Sequence, residues 1–251
     1  MRWRFSALLL CLPFTLLDWV DNYLYSNTEI QKGDTETWFL LPPKRANMHI
    51  SEGILSAPVL FGGAGLAVAG LAVAIKRLEP EDIPKTAMLC AMFFVASLIR
   101  VPVGPGNVHL VLCGLMGAVL GWGAVISIFA GLLLQAVLFS YGGLSTLGPN
   151  TFNMAAPAVL LSLALGRLLC GRNLKAALGA AFLTGSLSVL LAAFLTAVCL
   201  WLSGDHFLSI AQTLVLAHLP LAGVEGLITV AAVQFLRKVK PDMLPLCRKN
   251  T

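Results

Sequence analysis

The stretch HLVLCGLMGAVLGWGAVISIFAGLLLQAVLFS, residues 109–140, carries no Asp, Glu, Lys or Arg, and only Gly-Trp-Gly at 121–123 interrupts it. A bilayer core is spanned by roughly 20 mostly apolar residues as a helix. The stretch is therefore one long tilted helix or two short ones, and the choice sets the topology of everything after it. Basic residues decide. The other apolar segments after position 48 lie near 55–75, 84–101, 154–170, 176–201 and 208–236. Lys76, Arg77 and Lys85 follow the first; Arg167, Arg172 and Lys175 follow the one ending near 170; Arg237, Lys238, Lys240, Arg248 and Lys249 follow the last. The remaining loops after position 48 carry only Arg100. Lys and Arg collect on the cytoplasmic side. The three groups share a side only if 109–140 crosses twice, as 109–121 and 123–140. The expected fold is all-α, a polytopic seven-helix transmembrane bundle with residue 48 outside and the C-terminus cytoplasmic.

Composition points the same way. Of 251 residues, 58% are hydrophobic and 12% charged, against about 25% charged in a soluble domain. The net charge of +5 does not indicate nucleic acid, because the basic residues sit in short loops. Cys11, Cys90, Cys113, Cys170, Cys199 and Cys247 are scattered without a C-x-x-C, and read as small apolar residues instead of a metal cluster or disulfide frame. No G-x-x-x-x-G-K-[ST] occurs, so the chain does not hydrolyse ATP through a P-loop. The first segment pairs small residues four apart: Gly63/Ala67, Gly65/Ala69 and Gly70/Ala74. Such stripes let helix backbones approach in lipid, either within this chain or against a partner subunit.

The histidines are His49, His109, His206 and His218. On this topology His49 and His109 both lie at outer helix ends. His109 follows the Gly/Pro-rich VPVGPGNV (101–108), expected to be irregular backbone, tolerated at a membrane edge when buried in protein or lining a cavity. The plain reading of either histidine is an interfacial polar residue. Two converging on one face suggest more. If Met48 is the mature N-terminus, its amine, the His49 amide nitrogen and His49 Nδ1 close fused five- and six-membered chelate rings on one metal. His109 supplies a fourth nitrogen. A plane of four nitrogens suits Ni(II) or Cu(II), and Co(II) less specifically.

The segment SYGGLSTLGPNTFNMAAP, 140–157, is polar, glycine-rich and outside on this topology. Asn150, Thr151 and Asn153 are candidates to orient a ligand histidine, which needs an acceptor behind it; the alternative is a self-satisfied turn. Gln135, in the preceding helix, is expected to bond a neighbouring helix. In the last segment His218 and Glu225 stand seven apart on one face, and Glu225 lies near mid-helix. An intramembrane carboxylate usually faces the bundle interior with a partner; Arg100 and His218 are the two candidates, in a structural or a transport role away from the outer site.

Four blocks carry a family resemblance: MHISEGIL, GNVHLVLCGLMGAVLGW, LLLQAVLFSYGGLSTLGPNTFNMAAPA and AHLPLAGVEGLITVAAVQFL. Together, across about 48–240, they resemble the CbiM/NikM family, the substrate-binding membrane components of energy-coupling-factor importers for cobalt and nickel. The resemblance implies a multi-pass protein of the cell inner membrane that binds metal and is not an enzyme. It implies a site of the Met48 amine, the His49 amide and ring nitrogens and the His109 ring, closed over by a loop of roughly Gly142 to Asn153. No cofactor is implied; Co2+ or Ni2+ is the cargo, cobalt preferred for cobalamin biosynthesis and nickel the alternative. The implied partners are a coupling membrane subunit, ATP-binding cassette ATPases and a small accessory membrane subunit.

Residues 1–47 depart from that pattern, and 241–251 read as a cytoplasmic tail. Residues 6–17, SALLLCLPFTLL, follow Arg2 and Arg4 as in a signal peptide. The junction KRAN before Met48 lacks the small-x-small cleavage pattern. The expectation is a start at Met48; cleavage and retention of the extension are the alternatives, and retention would remove the amine ligand. From other functional classes come an intramembrane hydrolase using Ser140 or Ser145 with His218, and a purely structural membrane subunit.

Overall fold

The structure is a computed structural model that describes residues 46–47, 50, 52–103 and 106–244. Seven α-helices are present among these: α1 Ala57–Arg77, α2 Ile83–Leu98, α3 Cys113–Leu120, α4 Gly123–Phe139, α5 Leu147–Leu169, α6 Leu174–Trp201 and α7 Leu208–Val239. Three short strands accompany them: β1 Ala46–Asn47, β2 Arg100–Val103 and β3 Gly106–His109. Four helices, α1, α5, α6 and α7, are long and apolar enough to cross a membrane. This is a multi-pass helical membrane protein.

The 109–140 stretch divides where expected. Gly121 takes φ 55 and closes α3, and α4 begins two residues later. The first half is not a transmembrane helix, however. Eight helical residues rise only about 12 Å, and His109 belongs to β3. The VPVGPGNV segment likewise departs from irregular backbone: β2 and β3 pair antiparallel with Arg100 opposite His109 and Pro102 opposite Asn107. The pattern of apolar residues does not distinguish these states, since every residue of α3 is buried and no face repeats.

Glycines let α3 sit in the middle. A Cβ at Gly114 would come within 2.5 Å of Gly185 Cα on α6, and one at Gly117 within 2.8 Å of the Ala158 carbonyl carbon on α5. On α6, a Cβ at Gly185 would come within 2.7 Å of the Glu225 carbonyl oxygen on α7. Backbone contact thus runs from α3 through α6 to α7. On α1 the small-residue stripe divides. Ala67 and Ala74 are buried, and a Cβ at Gly63 would meet Pro149, so that face packs within the chain. A Cβ at Gly65 would meet nothing.

The basic groups gather at one end. The Arg77 guanidinium lies 5.0 Å from the Trp122 ring centroid. Lys85 Nζ donates to the Met243 carbonyl at 3.4 Å and pairs with Asp82 at 3.0 Å. Arg237 donates to the carbonyls of Leu169 and Gly171, the latter at 2.7 Å. The Gly-Trp-Gly turn therefore shares an end with all three groups. The 23 residues of α5 rise about 34 Å, from that end to one where Ile50 and Glu52 meet the 140–146 loop. Of the cysteines, Cys90, Cys113 and Cys199 are free. Cys170 is disulfide-bonded, which corrects the reading of it as a plain apolar residue; separation along the chain carries no information about separation in space.

Candidate metal site

Met48 and His49 lie outside the described residues, but both of their flanks are described. On one side β1 runs parallel to β3, with Ala46 beside Gly106 and Asn47 beside Asn107. On the other side Ile50 is held by its backbone. Asn150 Oδ1 accepts from the Ile50 amide at 3.4 Å, and Asn150 Nδ2 donates to the Ile50 carbonyl at 3.2 Å. Thr146 Oγ1 donates to the same carbonyl at 2.9 Å. Three peptide units between Asn47 and Ile50 reach at most about 11 Å, so covalent geometry keeps these two anchors together.

The Ile50 side chain is buried with Leu55, Leu200 and Ala211, and Ser56 N–H donates to Ser203 Oγ at 3.1 Å. The opposite flank is the 140–146 loop. Its Gly142 takes φ 80, a left-handed conformation that glycine adopts at no steric cost. A Cβ at Gly143 would stand 2.7 Å from Glu52 Cδ, and Ser145 N–H donates to Glu52 Oε1 at 3.3 Å. Gly143 is thus small because the Glu52 side chain occupies the space beside it.

Of the three residues proposed to orient a ligand, one bonds the residue that follows His49. Asn150 holds Ile50. Thr151 Oγ1 donates to the Leu147 carbonyl at 2.7 Å, one turn back in its own helix. Asn153 Nδ2 donates to Thr196 Oγ1 on α6 at 3.4 Å. All three belong to α5 and not to a loop, since the helix begins at Leu147. Pro149 is tolerated there because first-turn amides have no intrahelical acceptor. The residue sequence reading missed is Thr146, whose hydroxyl is one of many in a polar stretch and carries no pattern of its own. Gln135 is fully buried, and among the described residues neither amide atom has a hydrogen-bond partner, so the expected bond to a neighbouring helix is not found there.

His109 closes β3 and is 3% exposed. Its Nδ1 lies 2.9 Å from the Leu110 carbonyl oxygen. A carbonyl only accepts, so Nδ1 carries the proton and Nε2 is the nitrogen whose lone pair could meet a metal. His218 Nδ1 similarly donates to the Leu214 carbonyl at 2.6 Å inside α7. His218 is buried while Ser140 and Ser145 are exposed. No hydrogen bond among the described residues links them, and the serine hydrolase dyad is absent there. Among the described residues no three His, Cys, Asp or Glu side chains form a metal cluster.

Glu225 is 0% exposed, in the bundle interior as expected; the Arg100 side chain lies outside the described residues, and no hydrogen bond among those described joins His218 to the carboxylate. That carboxylate accepts from backbone amides: Val111 N–H at 2.5 Å to Oε1, and Leu112 N–H at 2.9 Å to Oε1 and 2.9 Å to Oε2. These amides lie two and three residues beyond His109. The carboxylate is therefore tied to the segment that follows His109 and not remote from it.

The chain matches the family model described as CbiM, cobalt uptake substrate-specific transmembrane region, over residues 49–243. It belongs to the CbiM family. A putative metal transport protein of Haemophilus influenzae is 41% identical over 199 residues, covering 78% of this chain and 97% of that one. A putative fused nickel transport protein NikMN of Archaeoglobus fulgidus is 28% identical over 203 residues, covering 78% and 68% respectively. A crystal structure titled a transition metal transporter superposes with a TM-score of 0.65 at 32% identity, covering 76% of this chain and 93% of that one. CbiM is thus a family of metal-uptake components, and the fold and membrane character found here accord with it.

Proposed function

We propose that this CbiM-family chain is the metal-capture subunit of an energy-coupling-factor importer, taking up Co2+, with Ni2+ as the alternative cargo. One observation supports the site: Ile50, the residue after His49, is clamped by Asn150 and Thr146. With Met48 as the mature N-terminus, its amine, the His49 amide and Nδ1, and His109 Nε2 form a plane of nitrogens around the ion. Binding displaces amine and amide protons and weakens in acid. β1 precedes Met48, so in that form the Ile50 clamp alone anchors the chelating end.

The basic end faces the cytoplasm and the Ile50 end faces outward, with 109–140 passing in and back. Strand β3, residues 110–112 and α3 make the inward pass, buried in protein as such backbone must be. ATP hydrolysis belongs to partner ATPases and a coupling membrane subunit. The missing P-loop supports this, and the fused NikMN relative joins two transport components in one chain. Nickel is favoured by the nitrogen plane, cobalt by the family's description.

The test is the natively expressed protein, purified with its metal. Its intact mass should correspond to a start at Met48, and competition dialysis between Co2+ and Ni2+ ranks the two. His49→Ala and His109→Ala should each abolish uptake in cells while the protein remains inserted. A mass at the full 26.7 kDa, or normal uptake by either variant, would overturn the chelate.

A further inference from the structure

We infer that Glu225 is a positioning residue for the metal ligand His109, acting through the Val111 and Leu112 amides; this rests on the metal-capture reading above. The first turn of a helix has amides without intrahelical acceptors. The N-terminus of α3 is buried: Val111, Leu112 and Cys113 are at most 4% exposed, so bulk water does not reach it. Glu225 meets two successive amides, and Leu112 meets both of its oxygens. Successive N–H groups aimed at one anion form a strong anion cradle.

The conformation that cradle imposes is costly in isolation. Leu112 stands at φ 51, ψ 16, a left-handed backbone that a residue with a Cβ adopts only when its surroundings demand it. The turn at Leu112 is also what ends the extended run from β3 and starts α3. Without the carboxylate, nothing in the described structure holds those amides, and the segment three residues after His109 loses the restraint that fixes its direction. The carboxylate's own position is fixed. Thr229 Oγ1 donates to the Glu225 carbonyl at 2.8 Å, Ser186 Oγ on α6 donates to the Ala222 carbonyl at 2.8 Å, and the Gly185 contact seats α7 on α6. A position on α7 is thereby transmitted to a ligand on β3, and β3 itself packs against α7.

The experiment is a double-mutant cycle on the natively expressed, detergent-purified protein, titrated with Ni2+ and with Co2+ by calorimetry. Glu225→Gln keeps the size but sets an NH2 group against the Leu112 N–H. Loss of a residue that orients a metal ligand costs roughly 10–100-fold in affinity, and that range is expected. In a His109→Ala background the same substitution should cost nothing further, because its effect passes through His109. Thr86→Val, beside Lys85 on α2, which removes a hydrogen bond to the Asp82 carbonyl, should leave affinity unchanged even where it lowers the melting temperature. A merely structural role predicts instead an equal loss with and without His109, or none. Wild-type affinity in Glu225→Gln, or additive losses in the double variant, overturns the inference. If Glu225→Gln does not fold, Glu225→Asp takes its place in the cycle: a partial loss that vanishes without His109 supports the role, and unchanged affinity overturns it. Failure of the wild-type protein to bind either ion would instead sink the metal-capture reading, so the two failures are distinct.

Discussion

At the scale of single residues, the candidate site depends on side chains that imitate backbone. Asn150 presents an acceptor and a donor to the two backbone groups of Ile50, as a neighbouring strand would. It thereby anchors the chain one residue after His49 without supplying a ligand. Asn150→Ala leaves the Ile50 amide buried without its partner, which costs about 1–3 kcal/mol. Thr146 keeps the carbonyl satisfied. We expect a matching fall in thermal stability and weaker Ni2+ binding. Asn150→Asp should fare no better, because it turns a carboxylate oxygen toward the Ile50 carbonyl. Calorimetric titration alongside thermal unfolding checks both, and wild-type affinity in Asn150→Ala would show that the Ile50 clamp does not support the chelate. The asparagine itself was legible in the sequence as a polar residue near the site. Its partner was not, because a bond between residues 100 apart leaves no local pattern.

At the scale of elements, α3 behaves as a half-helix inserted into a bundle. It is too short to cross, it is buried on every side, and its N-terminus is capped from another helix. Close packing at Gly114 against Gly185 sets how near α3 comes to α6 and hence to Glu225. Gly114→Ala forces a methyl into backbone that cannot yield like a side chain, and overpacking of this kind costs typically 1–3 kcal/mol. The expected result is a lower melting temperature together with weaker metal binding, since displacing α3 withdraws the Leu112 amide from Glu225. Gly179→Ala is the contrast, because a Cβ there meets nothing; in a helix interior it should be neutral to slightly stabilising. Equal behaviour of the two variants in thermal unfolding would contradict this packing account.

At the scale of the molecule, the two ends differ in chemistry. One carries Arg77, Lys85 and Arg237, each engaged with a neighbouring turn or tail. The other carries the Ile50 clamp and the exposed Leu144. With the basic end cytoplasmic, a membrane-impermeant maleimide applied to intact cells should add mass to Leu144→Cys beyond that of the parent protein. Asp242→Cys should gain mass only after permeabilisation. The reverse pattern would invert the topology and place the histidines on the wrong side for uptake.

The sequence by itself determined the class and the break at Gly-Trp-Gly. These rest on local quantities: runs of apolar residues, a glycine where the chain reverses, and the side on which basic loops collect. Charge alone favoured two passes of the apolar run over one, and the structure shows the break itself, with Arg77 over Trp122 of that turn. Only the tertiary structure decided what Glu225 is for. An intramembrane carboxylate announces that it needs a partner, and the obvious partners are charged side chains. Here the partners are backbone amides 114 and 113 residues away, which every residue but proline possesses. Tertiary packing, not residue type, chose which of them would meet the carboxylate.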